Sequence, residues 1–412
     1  MMNDKTLGIN GLGRIGKLTL WHHVARGFFD RIVINLGREV GPNLDAVCQA
    51  IETDSTYGSM HRFLFGVNAA PCVRIVDREA GELQVAKTRV TVLQRQRNPK
   101  DIPWRANGVN VVVDATGAFC DPTLPLDHAK GALRGHLGGG ARVVLNSAAF
   151  KVKGERKIPD DAVTLIYGIN HHAFDPSKHA VLSAASCTTT ALAHMVKPVF
   201  DSLDASSVLT ASMSTVHAVT NSQSVLDSVP KAGAKDLRKS RSVLNSIILT
   251  STNAANALEQ VIPEVSGIGF MADSVRIPTP TLSLIILNLT FQAPSGSNQP
   301  AVDRARLNEI YRQYAEQTQL MHYSERQNVP ADVTGLRAAV SLEACETHTR
   351  TGFIAVDLAQ LGDLDPSLRK QLPATLHVPV THAKIFGWYD NEYGSYTNML
   401  GDLTEHVHKS ID

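Results

Sequence analysis

The stretch LGINGLGRIGKLTLWHHVA, residues 7–25, constrains this chain more than any other. Thr6–Asn10 reads as a short buried strand, and Gly11, Leu12, Gly13, Arg14, Ile15 and Gly16 turn from it into an amphipathic helix through Leu20 and Val24. Gly11 permits the tight turn, Gly13 lets a pyrophosphate approach the backbone, and Gly16 allows close helix–strand packing. The phosphates would sit at the helix N-terminus, where N–H groups lack partners. A GxGxxG string alone is weak, because glycine-rich turns are common. Here strand, glycines and helix are followed by a second apolar run, Arg31–Asn35, which is the context of a dinucleotide-binding unit.

Further strand-like runs lie at 73–76, 90–93, 109–114 and 142–146. VVVDATGAF places Thr116 and Gly117 just past a strand's C-terminal end, where open α/β sheets bind ligands. A plain strand-to-loop transition would read the same way.

In SAASCTTTALAHM one cysteine, Cys187, stands between hydroxyl residues where a helical pattern begins. Leu192, Met195, Val196, Val199, Phe200 and Leu203 recur at helical spacing, so a helix should start near Thr188, with a kink at Pro198. A thiol at a helix N-terminus meets the positive end of the dipole, which favours thiolate. The competing reading is a packed, inert cysteine. Cys48, Cys72, Cys120, Cys187 and Cys345 are odd in number, scattered and without a CxxC pair. That argues for a reducing cytoplasmic setting and against a disulfide framework or a metal site.

The length of 412 residues predicts two domains, and 43% hydrophobic with 19% charged residues describes a soluble globular chain. A net charge of +1 gives no electrostatic case for nucleic acid or an anionic membrane as partner. The N-terminus lacks a signal-peptide core, and no apolar run is long enough to cross a bilayer.

Beyond Cys187 the pattern changes. SVLTASMSTVHAVT and TPTLSLIILNLTFQ are β-rich, and predict an α+β domain on a largely antiparallel sheet. The first carries His217, a residue type able to take a thiol's proton, though one histidine among 16 singles out nothing by itself. Arg238, Arg241, Thr252 and Arg276 supply the forks and hydroxyls that a phosphate-bearing substrate needs. Solvated surface arginine is the bland alternative for each. The chain ends in a predicted helix with Met399, Leu400, Leu403 and Val407 on one apolar face.

Taken together, GINGLGRIG, SAASCTTT, STVHAVT, LTSTNAA, VRIPTPT and WYDNEYG resemble the phosphorylating glyceraldehyde-3-phosphate dehydrogenases, in order and spacing, over nearly the whole chain. The resemblance implies a Rossmann domain (1–186 and 391–412) interrupted by a catalytic domain (187–390), and a homotetramer. It implies Cys187 as nucleophile and His217 as base. Arg276 and Thr220 would bind the phosphate of glyceraldehyde 3-phosphate, and Ser186, Thr188, Arg238 and Thr252 inorganic phosphate. NAD or NADP would lie on Gly11, Gly13, Arg14, Ile15, Gly16, Thr116 and Gly117, with Asn391 orienting the nicotinamide. Erythrose 4-phosphate oxidation, or a binding or assembly paralogue without catalysis, remains open.

The departures are local. Ala184 stands where the family has asparagine, and Asn253, beside the inorganic phosphate site, where it has glycine. Ser395-Tyr396 reverses the usual order, and 362–381 has little counterpart; within it DPSLRKQL predicts a short helix with Asp365 as N-cap and Pro366 at its first position. NAD-dependent members carry an aspartate at the end of the second strand. Here Leu36 takes that place and Arg38 follows, so dual use of NAD and NADP is expected, unless Glu39 swings in.

Overall fold

The computed structural model describes residues 5–203, 207–293, 302–360, 362 and 365–411. It divides into two compact units, Met1–Thr190 with Thr334–Ala339 and Asp390–Asp412, and Ala191–Val333 with Val340–Tyr389. The boundaries expected from sequence assign 187–190, 334–339 and 390 to the second domain, whereas the contacts place them in the first unit.

In the first unit, strands β1 (Thr6–Asn10), β2 (Arg31–Asn35), β3 (Val73–Asp77), β4 (Glu82–Val85), β5 (Thr88–Leu93), β6 (Val111–Asp114), β7 (Val143–Asn146), β8 (Ala162–Thr164) and β9 (Val181–Ser183) form one sheet. Its order is β8-β9-β7-β6-β1-β2-β5-β4-β3. Pairing is parallel from β8 through β5, and β4 and β3 add an antiparallel edge. The run β5-β2-β1-β6-β7-β9 reproduces the order of a Rossmann sheet, whose direction of growth reverses between β1 and β6. Leu7, Ile9, Ile32, Ile34, Val111, Val113 and Leu145 are buried in one cluster, as near-continuous apolar runs in a parallel sheet require.

Helix α1 (Arg14–Arg26) covers this cluster with Leu18, Leu20, Trp21 and Val24. The last helix of the chain, Ser395–Ile411, adds Leu400, Leu403, Val407 and Ile411 to the same core. Each such side chain contributes roughly 2 kcal/mol by leaving water. Arg26 ties the two helices, reaching Asp402 at 2.6 Å and the Asn398 carbonyl at 2.9 Å.

The second unit holds an eight-stranded sheet. Strands β10 (Val208–His217), β11 (Ile248–Thr250), β12 (Met271–Arg276), β13 (Ser283–Gln292), β14 (Met321–Ser324), β15 (Val340–Glu343), β16 (His348–Asp357) and β17 (Thr375–Tyr389) run in the order β11-β12-β10-β13-β17-β15-β14, with β16 also on β17. It is largely antiparallel, with parallel pairs at β10–β12 and β14–β15. SLIILNLTFQ alternates along β13: Ile285, Leu287, Leu289 and Phe291 are buried and their neighbours half-buried. That period of two is the signature of a strand with unlike faces.

Part of the 362–381 stretch lengthens β17, which pairs with β16 out to Asp357 opposite Thr375. The short helix is Pro366–Gln371, and the Asp365 carboxylate caps it by accepting from Ser367 N–H at 2.7 Å. Residues 363 and 364 lie outside the described residues. No helix among the described residues is long and apolar enough to cross a membrane.

Candidate functional site

At the C-terminal edge of the first sheet, Gly11 leaves β1 with φ +94°, a conformation few side chains tolerate. A Cβ there would meet Thr116 Cγ2 at 3.0 Å, so the turns after β1 and β6 lie against each other. A Cβ on Gly16 would fall 2.0 Å from the Gly11 carbonyl oxygen, which excludes any side chain. Gly13 is the N-cap of α1; no side chain caps the helix, its first turn carries no acid, and a Cβ on Gly13 would have nothing within 4 Å. Open space before an uncapped helix N-terminus fits a dinucleotide pyrophosphate. Ile15 packs on the core, and Gly117 takes φ +63° with open space beside it. Leu36 is partly buried against the core, Gly37 turns at φ +66°, and Arg38 is exposed.

Beneath these turns runs a feature that the sequence reading passed over. Asn35, Asn10, Asp114, Asn146 and Ser183 are register partners on β2, β1, β6, β7 and β9, and all are buried. Asn35 Nδ2 donates to Asn10 Oδ1 at 2.8 Å, and Asn10 Nδ2 to Asp114 Oδ2 at 2.8 Å. His136 Nε2 meets the same oxygen at 2.9 Å, and Trp104 Nε1 donates to His136 Nδ1 at 3.0 Å. Asp114 Oδ1 accepts from the Thr116 backbone and hydroxyl at 3.0 and 2.6 Å. Burial opposes the charge on Asp114, yet His136, Thr116 and Asn10 hold its carboxyl below the usual range. The Thr116 hydroxyl is therefore committed to Asp114, and the Thr116–Gly117 turn is locked from below.

Cys187 is the first residue of helix α2 (Cys187–Ser202), one position before the expected start. Ser186 caps it: its hydroxyl accepts from Thr189 N–H at 3.1 Å and meets the Thr189 hydroxyl at 2.8 Å. The cap explains the earlier start, because it satisfies a donor of the first turn. Pro198 lies inside the helix, as expected. Just upstream, Ala185 takes φ +55°, a strained conformation for alanine that costs on the order of 1–3 kcal/mol. Tyr396, whose place beside Ser395 departs from the family order, donates to Ser147 O at 2.6 Å and Ala185 O at 3.5 Å. Asn391 is buried, and its Nδ2 lies 3.8 Å from the Cys187 sulfur. Thr188 is buried in the first turn. No sequence signal marks alanine for a left-handed backbone.

In the second unit, His217 ends β10 opposite Arg276, which ends β12. The Arg276 guanidinium meets His217 Nδ1 and also donates to Ala218 O at 3.2 Å. His217 Nδ1 lies 2.7 Å from the same carbonyl oxygen. Nδ1 cannot do both: it either donates to Ala218 O, leaving Nε2 basic, or accepts from Arg276. Burial, and then Arg276, push His217 down to about 3, against the Ala218 carbonyl, so the imidazole is neutral at pH 7.

The remaining predicted residues hold local partners. Thr220 Oγ1 meets Ser222 Oγ at 2.8 Å and Gln223 Oε1 at 3.1 Å. Arg238 pairs with Asp236 at 2.9 Å with its side chain 54% exposed. The Thr252 hydroxyl accepts from Ala254 N–H at 3.2 Å, and Asn253 is exposed at the start of the Ala254–Val261 helix without capping it. The structure thus brings Cys187 to Asn391 and His217 to Arg276, and leaves Arg238 and Asn253 facing solvent.

Comparison with known proteins gives two family matches. One is "Glyceraldehyde 3-phosphate dehydrogenase, NAD binding domain" over residues 5–122, the other "Glyceraldehyde 3-phosphate dehydrogenase, C-terminal domain" over residues 186–356. The chain is 30% identical to a glyceraldehyde-3-phosphate dehydrogenase of Streptomyces coelicolor, covering 97% of this chain and 98% of that one. It is 31% identical to glyceraldehyde-3-phosphate dehydrogenase 1 of Streptomyces avermitilis, over 96% of each. With glyceraldehyde-3-phosphate dehydrogenase 1 of a Nostoc species the identity is 30%, over 96% of this chain and 95% of the other. The cofactor is NAD or NADP.

Proposed function

The chain belongs to the glyceraldehyde-3-phosphate dehydrogenase family, and from that premise we propose that it oxidises glyceraldehyde 3-phosphate to an acyl phosphate through a thioester on Cys187. The observation that carries this reading is the Cys187 thiol at the start of α2, set behind the strained Ala185 and met by the Asn391 amide. A helix start and an amide donor both favour thiolate, the form that attacks an aldehyde carbon.

Attack gives a thiohemiacetal whose oxygen needs donors; the Cys187 N–H and His217 supply them. His217, neutral at pH 7, takes the Cys187 thiol proton as the thiolate forms, donates it to the thiohemiacetal oxygen, and takes it back as the hydride leaves. Gly11, Gly13, Arg14, Ile15, Gly16, Leu36, Arg38, Thr116, Gly117 and Asn391 would hold NAD or NADP, which would supply the hydride acceptor. Arg276 and Thr220 take the phosphate of the substrate. An anion that draws Arg276 toward itself frees Nδ1 to donate to Ala218 O, and Nε2 then becomes the basic nitrogen. Ser186, Thr188, Arg238 and Thr252 take the inorganic phosphate that displaces the thiol, with Asn253 crowding it. Leu36 and Arg38 support dual cofactor use, since no acid stands at Leu36 to repel a 2′-phosphate.

The reading also assigns a homotetramer, supported by apolar surface on the second unit such as Val229, Ile247 and Leu226, which are 90%, 75% and 72% exposed. Sedimentation tests that assignment. The decisive experiment is aldehyde oxidation measured with and without inorganic phosphate, with each cofactor, on the wild type and Arg38→Ala. Phosphate-dependent acyl phosphate formation supports the proposal. Oxidation indifferent to phosphate redirects it toward hydrolysis, as for erythrose 4-phosphate. Strict NAD use unchanged by Arg38→Ala removes the NADP assignment.

A further inference from the structure

Asn391 and Glu392 are adjacent in sequence but serve different neighbours within the first unit. The Asn391 amide meets the Cys187 sulfur at 3.8 Å. The Glu392 carboxylate meets the Arg14 guanidinium at 2.6 Å, and Arg14 is the first residue of α1, directly after the N-cap glycine of the dinucleotide turn. The turn carrying both is built around Asp390. Its Oδ1 accepts from the N–H groups of Glu392 and Tyr393 at 3.0 Å each, and its Oδ2 from Gly335 N–H at 2.9 Å. Asp390 N–H donates in turn to Ser395 Oγ at 3.1 Å. The backbone at Glu392 is also held by Thr397 N–H, which donates to its carbonyl at 3.0 Å, and the Glu392 side chain adds the link to α1.

We propose that Glu392 is a positioning residue that ties the dinucleotide turn, through Arg14, to the Asn391 amide at the Cys187 thiol. This rests on the nucleophile assigned above, and concerns what holds that nucleophile's hydrogen-bond donor in place. The groups facing Glu392 are few. Arg14 and Lys17 come from α1, with Lys17 held 2.7 Å from Asp54. Asp54 and Tyr57 come from the 53–59 hairpin, where Tyr57 Oη lies 3.3 Å from Glu392 and from Asp390. Asp390 and Tyr393 flank it in its own turn, and Tyr393 stacks on Tyr57 with centroids 4.6 Å apart.

Burial pushes the Glu392 carboxyl up to about 7; Arg14 opposes this, the Asp390 charge adds to it, and Tyr57 opposes it. Above that pH the carboxylate is charged and the tether is made; below it the proton removes one half of the ion pair. The amide then wanders from the sulfur, and the thiol loses a donor that favours thiolate.

The test is alkylation of Cys187 by iodoacetamide in cofactor-free protein, followed from pH 5.5 to 9, with cofactor dissociation constants measured in parallel. The wild-type profile should show two ionisations, one near pH 7 from Glu392 and one from the thiol. Glu392→Gln keeps the size, removes the titration, and should leave one ionisation and a rate about five-fold lower at pH 8. Arg14→Gln breaks the same tether from its other end and should reproduce the effect. In an Asn391→Ala background, Glu392→Gln should change the rate no further. A two-ionisation profile that persists in Glu392→Gln, or an equal effect with and without Asn391, overturns the proposal. Alkylation needs no turnover, so loss of the aldehyde-oxidation reading leaves this result standing or falling by itself.

Discussion

The C-terminal edge of the first sheet and the 220–253 stretch of the second unit both carry the polar side chains of the proposed site, yet they are built in opposite ways. At the sheet edge, Asn35, Asn10 and Asp114 are chained by bonds of 2.8 Å between residues at least 25 apart in sequence, and all three are buried. In the 220–253 stretch the partners are neighbours in sequence: Gln223 for Thr220 and Asp236 for Arg238. The Arg238 side chain is 54% exposed, so water competes for its pair with Asp236. In the proposed reading the first arrangement is fixed before any ligand arrives, and the second would exchange local partners for a ligand's phosphate. Preorganisation is concentrated at the cofactor and the thiol, and adaptability at the anions.

The comparison is broken most severely at the thiol itself. Cys187→Ala should lower aldehyde oxidation on the order of 10⁴-fold while leaving the melting temperature within a few degrees, read by steady-state rates and calorimetry. Of the five cysteines, limited alkylation should label Cys187 first.

Next in size is Asp114→Ala. It leaves the buried His136 and Asn10 without their acceptor, and should cost about 3–5 kcal/mol in urea unfolding. Cofactor affinity should fall with it. A loss of affinity without a loss of stability would show that the edge serves the ligand alone.

Acid sharpens the contrast by a smaller amount. Burial, then Arg26 and Arg337, hold His22 down to about 4 against the Tyr393 carbonyl, and burial holds His23 well below its ordinary value. Both ring nitrogens of His23 lack a hydrogen-bond partner among the described residues. These imidazoles stay neutral in the folded chain, whereas the unfolded chain takes up protons below about pH 6.5. Stability is therefore complete above pH 6.5 and falls as pH drops toward 4. His22 alone should contribute a loss of about 2 kcal/mol by pH 4.5, checked by urea midpoints of wild type and His22→Gln.

Smallest is the pair of arginines. Arg276→Ala, at a half-buried position, should raise KM for the aldehyde phosphate about ten-fold. Arg238→Ala should raise KM for inorganic phosphate only a few-fold, because its exposed charge is screened. Equal effects on both substrates would erase the division of labour.

The fold was legible where pattern and spacing carry it. The glycine turn, β1, β2 and the terminal helix follow from periodicity and from backbone positions that admit only glycine, whereas α1 is not the one-faced amphipathic helix expected, because residues 18–24 are all buried. The β-rich runs of the second unit announced an antiparallel sheet through alternation. The candidate site was legible where a residue type is rare in its context, as with Cys187 at the start of α2. What escaped has two causes. Ala185 gives no sign in sequence, because its strain is imposed by the strand and helix on either side. The buried edge did leave signs: the strand runs ending at 10, 35, 114 and 146 close on Asn, Asn, Asp and Asn. A polar residue ending one strand is ordinary, and the meaning lies in their pairing, which single-strand patterns do not reveal.

That row of polar strand ends also bears on how the chain reaches its fold. VVVD, RIVIN and VVLN are almost interchangeable runs of branched aliphatics, so sliding one along another changes little in apolar burial. Parallel strands of this kind have no turn to fix their alignment. A slip of one residue would set the Asp114 carboxylate against Ile9 or Leu145 and bury a charge without its partners, at a cost of several kcal/mol. The aligned amides and carboxylate act as a proofreading mark: misaligned sheets remain sticky but are heavily penalised, and only the native alignment closes the row.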